Sequence, residues 1–266
     1  MRYKKLIGIS TLLAFILVVA MCLVWLFKVT ETEIIVSGEE ISSLYDYANE
    51  TAQKTAEGKN VLFLSEEDIK AELEKNPYAE VVSVKKVLPN KISIEIKKRE
   101  ERFAYLNEGV YYYTDDNFVL LRKGNEAPGG NVIPVEIVGA DFDFESASYG
   151  KKIDFSSNDL LAFSVSVTEA IPDKFNLVRG ATVDGEKNRL YFSMVTGAKL
   201  EFRFNHPDFN ASKEEKYRAG KEICSNALNA YNYYLALSEA EKSKGFVLCY
   251  LTGSLSVKIE YDATEP

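Results

Sequence analysis

His206 is the one histidine in a chain of 266 residues, and it sits in Asn205-His206-Pro207-Asp208. A nucleophilic device of the Ser-His-Asp or Cys-His kind needs its imidazole oriented by a third group. The place of His206, between a strand-like run and a helix-like run, reads as a polar turn instead. Zinc needs about four Cys, His or acidic ligands. Of the three cysteines, Cys22 lies inside an apolar run, which leaves Cys224, Cys249 and His206 at no recognised spacing. Asp115-Asp116-Asn117 has a calcium-loop flavour, but such a loop needs alternating ligands and a distant Glu. Three short polar residues between two strand-like runs read as a hairpin turn. No G-x-S-x-G elbow, P-loop or G-x-G-x-x-G occurs. A glycosidase pair among the 40 acids is a matter of spatial separation, which spacing in sequence does not define. The residues point away from catalysis, and neither a cofactor nor a metal is expected.

What the chain does carry is a division of charge. Arg2, Lys4, Lys5 and Lys28 fall in the first 28 residues, which hold no acid. The net charge is −8, so the remaining 238 residues carry −12. An acidic body argues against a nucleic-acid binder, which wants a basic face. Leu6 to Phe27 is free of charge. As a helix it would be about 33 Å long, enough for a hydrocarbon core of roughly 30 Å. Trp25 and Phe27 stand near one end, as interfacial aromatics do. The expectation is a cytoplasmic tail at 1–5 and a transmembrane helix at 6–27, with everything after it outside the cytoplasmic membrane. A cleaved signal peptide would have a shorter apolar run and a small-x-small site. Val19-Ala20-Met21-Cys22 has a loose lipoprotein look, but Met21 is bulky for one.

Outside, Glu33 to Gly38 reads as a strand and Ile41 to Ala56 as a helix. Ser65-Glu66-Glu67-Asp68 starts a second helix, which Asn76-Pro77 stops. Ala79 to Leu88 and Lys91 to Lys97 read as strands, the latter alternating at Ile92, Ile94 and Ile96. The order β-α-α-β-β makes a small α+β domain. From Arg102 the texture becomes β-rich. Phe103 to Leu106, Tyr111 to Thr114, Phe118 to Leu121, Val132 to Val138, Phe175 to Val183, Leu190 to Val195 and Lys199 to Phe204 are the strand candidates. Ser157 to Ile171 reads as a helix. Another starts at a capping box, Ser212 to Glu215, with Tyr217, Cys224, Leu228, Tyr231 and Leu235 as its expected inner stripe. Phe246 to Leu251 is apolar on both faces, hence a central strand. Leu255, Val257, Ile259 and Tyr261 alternate with polar residues, hence a half-exposed strand near an edge. Cys224 and Cys249 could meet in the interior, as free thiols or as a disulfide. Lys97 to Arg102 reads as a solvated joint between domains.

Several of these stretches resemble a known family. Ile35-Val36-Ser37-Gly38, Gly58 to Leu64, Asn76-Pro77-Tyr78, Val81 to Leu88, Pro89-Asn90 and Ile92-x-Ile94-x-Ile96-Lys97-Lys98-Arg99-Glu100 are similar to a POTRA domain, and more narrowly to that of the FtsQ/DivIB cell-division family. Gly109-x-Tyr111, Asp115-x-x-Phe118-Val119-Leu120, Gly197 to Phe202 and the hairpin from Gly245 to Ile259 fit the same family, although Leu248 and Cys249 stand where many members have an acid. The resemblance implies one transmembrane helix, a POTRA domain at 28–100 and a mixed, β-rich FtsQ-type domain at 101–266.

It also implies a non-enzymatic bitopic scaffold of the division septum that links early and late division proteins. Upstream division proteins would meet the POTRA domain. FtsB/DivIC-like and FtsL-like partners would bind the β-rich domain by adding a strand to a sheet edge. The final strand supplies a candidate edge, with Tyr250, Leu255, Val257, Lys258, Ile259, Glu260 and Tyr261 as contact residues. The alternative is that Lys258 and Glu260 merely guard an edge that stays empty. Two further readings are a POTRA-containing exported assembly or secretion factor, which would want a long membrane barrel, and an exported hydrolase with an unrecognised site.

Overall fold

The computed structural model describes the backbone of residues 2–264, and the side chains of these residues other than 2–11 and 20. Two compact units result, Met1–Arg99 and Glu100–Pro266.

The first unit opens with α1 (Arg2–Leu26), one continuous helix that takes in the expected tail. Among the described residues no helix is long and apolar enough to cross a membrane. Side chains 6–11 and 20 of the expected span lie outside the described residues. From Leu12 onward every large apolar side chain described on α1 is exposed. The rest of the unit is β1 (Glu31–Ser37), α2 (Ser42–Ala56), α3 (Glu66–Leu73), β2 (Ala79–Val87) and β3 (Lys91–Lys98). The sheet order is β1-β3-β2, with β1 parallel and β2 antiparallel to β3. The period-two pattern of β3 puts Ile92, Ile94 and Ile96 on one face, all fully buried. Each stabilises the unit by about 1.5–3 kcal/mol. Leu44, Ala48, Ala52 and Ala56 of α2 and Ile69 and Leu73 of α3 complete that core. The small alanines let α2 lie close to the strands. Ser65 caps α3, its Oγ accepting from Asp68 N at 3.1 Å.

The second unit contains β4 (Phe103–Asn107), β5 (Val110–Thr114), β6 (Leu120–Gly124), β7 (Ile133–Val138), α4 (Asp159–Ala170), α5 (Lys174–Leu177), β8 (Val178–Asp184), β9 (Arg189–Met194) and β10 (Lys199–Arg203). These are followed by α6 (Lys213–Ser225), α7 (Ala227–Ala236), α8 (Glu239–Lys242), β11 (Phe246–Leu251) and β12 (Val257–Asp262). All nine strands join one sheet in the order β12-β11-β10-β9-β8-β7-β4-β5-β6. The fold is thus mixed α and β, with a β-rich second unit. Leu200, Phe202, Phe192, Val247 and Cys249 point to the face that α4, α6 and α7 cover.

Four local expectations fail here, each for a physical reason. Phe118 has φ +63° and β6 begins only at Leu120. The cause is Asp115, whose Oδ1 accepts from Asn117 N at 2.9 Å and Val119 N at 2.8 Å and so prolongs the turn. The run from Phe175 is helical up to Leu177 and becomes a strand only at Val178. There the Phe175 ring packs on Phe103, with centroids 5.4 Å apart. The expected inner stripe of the helix after Ser212 holds at Tyr231 and the half-buried Cys224 but is displaced elsewhere. Tyr217, Leu228 and Leu235 are exposed, and Ala219, Gly220, Ile223, Ala227, Ala230, Tyr231 and Tyr234 face inward. Small residues define that face: a Cβ on Gly220 would fall 2.1 Å from Phe163 Cε2. Finally, Leu255 lies outside the last strand, at φ +58° in the loop that reverses the chain.

Candidate partner-binding edge

Among the described residues β12 pairs with β11 alone, antiparallel, from Phe246 opposite Asp262 to Leu251 opposite Val257. An outer strand of this kind directs alternate N–H and C=O groups away from its own sheet. Alternation then sorts the candidate residues. Val257, Ile259 and Tyr261 are part-buried against the core of the unit. Lys258 and Glu260 lie on the other face beside Tyr250 of β11, which is opposite Lys258 in the register. The Tyr250 hydroxyl donates to Glu260 Oε1, and Lys258 Nζ pairs with Glu260 Oε2 at 2.5 Å. The Lys258 hydrogen bond, with a further one from Tyr250, holds the Glu260 carboxyl below its ordinary range. Reciprocally, Glu260 raises Lys258. Tyr250, Lys258 and Glu260 therefore form one polar cluster. Leu255 does not join it; with Leu251, Ala219 and Glu222 it lines a separate groove of about 230 Å³.

The same face holds residues that the reading of the sequence passed over. Glu201 on β10 is 1% exposed yet acidic. Arg203 Nε donates to its Oε1 at 2.7 Å and Arg189 Nη1 to the same atom at 3.3 Å. Arg189 Nε also reaches Asp184 Oδ2 at 3.2 Å. Glu201 Oε2 has no hydrogen-bond partner among the described residues. The Arg203 guanidinium lies 5.9 Å from the Tyr250 ring centroid, which links this network to the edge cluster. The signal in the sequence was the polar half of two alternating strands, Arg189-x-Tyr191-x-Ser193 and Lys199-x-Glu201-x-Arg203.

Residues weighed for chemistry have local duties. His206 Nδ1 accepts from Asp208 N at 3.0 Å within its own turn. The Asp115 carboxylate shapes the turn before β6. Cys224 and Cys249 are free thiols. Burial pushes the Cys224 thiol up to about 11 and the Cys249 thiol up to about 12. The run that opens the second unit is ion-paired as well as solvated: Arg102 meets Glu100, and Arg122 Nε meets Glu101 Oε1 at 2.6 Å.

Comparison with known proteins bears on the first unit. The family described as "POTRA domain, FtsQ-type" matches residues 32–99. "Cell division protein DivIB" of Clostridium acetobutylicum is 34% identical over 84 residues, covering 31% of this chain and 33% of the relative. The protein of the same description from Clostridium botulinum strain Loch Maree is 28% identical over 96 residues, covering 36% of each. The chain thus spans about a third of the length of the relatives it matches. Among solved structures, the major extracytoplasmic domain of the trans isomer of the cell division protein DivIB from Geobacillus stearothermophilus aligns over 50% of this chain and 95% of that one. At a TM-score of 0.25 and 13% identity this alignment carries no argument. Residues 32–99 thus match the FtsQ-type POTRA family, and over about a third of its length the chain is similar to proteins described as the cell division protein DivIB.

Proposed function

We propose that the protein is a non-enzymatic scaffold of the division septum, anchored by α1 and holding partners on the outer edge of β12. The position of β12 at the end of a nine-stranded sheet is the observation that supports this reading most directly. An extended segment of an FtsB/DivIC-like or FtsL-like protein would add a tenth strand there, main-chain hydrogen bonds giving affinity and side-chain contacts specificity. Tyr250, Lys258 and Glu260 would read the segment on one face. Val257, Ile259 and Tyr261 would hold the strand to the core, with Leu255 at the loop. Upstream division proteins would meet the POTRA domain. The relatives are described as cell division proteins, not as enzymes, which fits a binding role.

The anchor reading rests on α1. A helix that is apolar all round, with its described apolar side chains exposed, asks for an apolar solvent. The basic residues at its start would keep the N-terminus in the cytoplasm and the two units outside, at the septum. Co-purification from detergent with FtsB/DivIC-like and FtsL-like proteins tests the scaffold. Recovery of both with the wild type, and of neither with Val257→Pro, is the expected result. Unchanged capture by a folded Val257→Pro protein would refute the edge model.

A further inference from the structure

Backbone hydrogen bonds tie two connections of the POTRA-type unit to the residues that leave α1. Val61 N donates to Phe27 O at 2.7 Å, Val29 N to Lys59 O at 2.8 Å, and Gly58 N to Val29 O at 3.0 Å. Thr30 N donates to Asn90 O at 3.0 Å, and Asn90 Nδ2 to Thr30 Oγ1 at 2.6 Å. The first set fixes the loop after α2, and the second fixes the turn between β2 and β3. Both are therefore held within a few residues of the end of the apolar helix.

These connections carry large apolar side chains in the open. Phe63 is 86% exposed, Leu88 59%, and Leu62 and Val87 somewhat less. They are four of the seven exposed large apolar residues described in this unit beyond α1. Lys28, Lys59 and Lys85 are exposed beside them. An open notch of about 690 Å³ lies between Val24, Leu26 and Lys28 on one side and Gly58 and Asn60 on the other. A protein facing water alone would have little reason to gather its exposed apolar groups around the foot of an apolar helix.

We infer that this end of the POTRA-type unit docks on the lipid surface, with Phe63, Leu62, Leu88 and Val87 entering the interfacial layer. The inference rests on the reading of α1 as a membrane anchor. If Phe27 marks the end of the span, Leu62 and Phe63 lie one and two residues beyond its hydrogen-bonded partner Val61. That is within about 8 Å along the chain, comparable to the roughly 5–8 Å thickness of one headgroup layer. Phe and Leu gain from partial burial at that depth, while lysines keep their ammonium groups among the phosphates. The unit would then be held against the bilayer at three points, α1 and the two connections, instead of swinging on a single tether.

The test uses the full chain in vesicles of phosphatidylcholine and phosphatidylglycerol brominated on the acyl chains near the headgroup. Trp25 is the sole tryptophan, so the wild type reports the anchor. Two variants in a Trp25→Phe background, Phe63→Trp and Leu88→Trp, report the two connections at positions already exposed. The expected result is that bromolipid quenches all three indoles by roughly twofold or more, as for interfacial aromatics. Quenching of Trp25 with none in either variant would overturn the docking inference and leave the anchor intact. No quenching at Trp25 would remove the anchor reading, and this inference with it.

Discussion

The two ends of the nine-stranded sheet solve the same problem differently. At the β6 end the chain covers the start of its own edge. Leu120 N donates to Lys151 O at 3.0 Å, Gly150 N to Leu120 O at 2.8 Å, and Ile153 N to Phe118 O at 2.9 Å. Arg122 is held over the Tyr113 ring at 3.6 Å by its double hydrogen bond to Glu101. At the other end β12 pairs inward only and carries a charged pair on one face. Unpaired edges invite addition of another strand, and a charge facing outward limits this without closing the edge. One end is covered in part by main chain. The other carries the Lys258–Glu260 pair, held by side chains alone.

Breaking the contrast should have its largest effect on partner capture. Val257→Pro removes a donor from β12 and should cut recovery of FtsB/DivIC-like protein roughly tenfold or more, about 1.4 kcal/mol or above. Arg122→Ala, at the β6 end, should leave recovery unchanged in the same co-purification. On stability rather than capture, the largest effect is expected of Glu201→Leu, which leaves Arg189 and Arg203 facing each other without their shared acid. Urea unfolding should show a loss of about 3 kcal/mol. Asp115→Ala should cost about 2 kcal/mol. It should speed amide exchange at Asn117 and Val119 while leaving β12 amides unchanged.

Smaller effects sharpen the picture. In a Cys22→Ser background, Cys249 on β11 should resist alkylation at pH 8, because burial keeps its thiol protonated up to about 12. Faster reaction in Val257→Pro would show the open edge fraying. The smallest effect belongs to the exposed Lys258–Glu260 pair. Glu260 is depressed in the folded protein, so whatever stability it lends is present above the ordinary carboxylate range and fades as pH falls through its folded value. Lys258→Ala should leave the melting temperature at pH 7 nearly unmoved, and any difference should vanish in acid.

Legibility in the sequence followed the strength of the local signal. Ile92, Ile94 and Ile96 announced both strand and face, and Ser65 and Ser212 announced helix starts, because alternation and capping are written within four or five residues. The inner face of α6 and α7 was hidden because it is marked by alanine and glycine, which a search for large apolar residues overlooks. The outward Tyr217 and Leu228 drew the stripe to the wrong side. The candidate edge was visible as alternation from Leu255 to Tyr261, except that Leu255 adopts a left-handed backbone that nothing about leucine suggests. Glu201 was illegible since its burial depends on two arginines from different positions of a hairpin, a tertiary fact.

The parallel pairing of β1 with β3 has a consequence in time. Glu31 lies opposite Lys91, 60 residues later in the chain. β1 leaves the helix first but finds no strand partner until β3 has been made and has folded back, and closing so long a loop is slow. For that interval β1 is itself an open edge. The order of synthesis therefore exposes, briefly and at the opposite end of the molecule's chain, the kind of surface that β12 keeps for good.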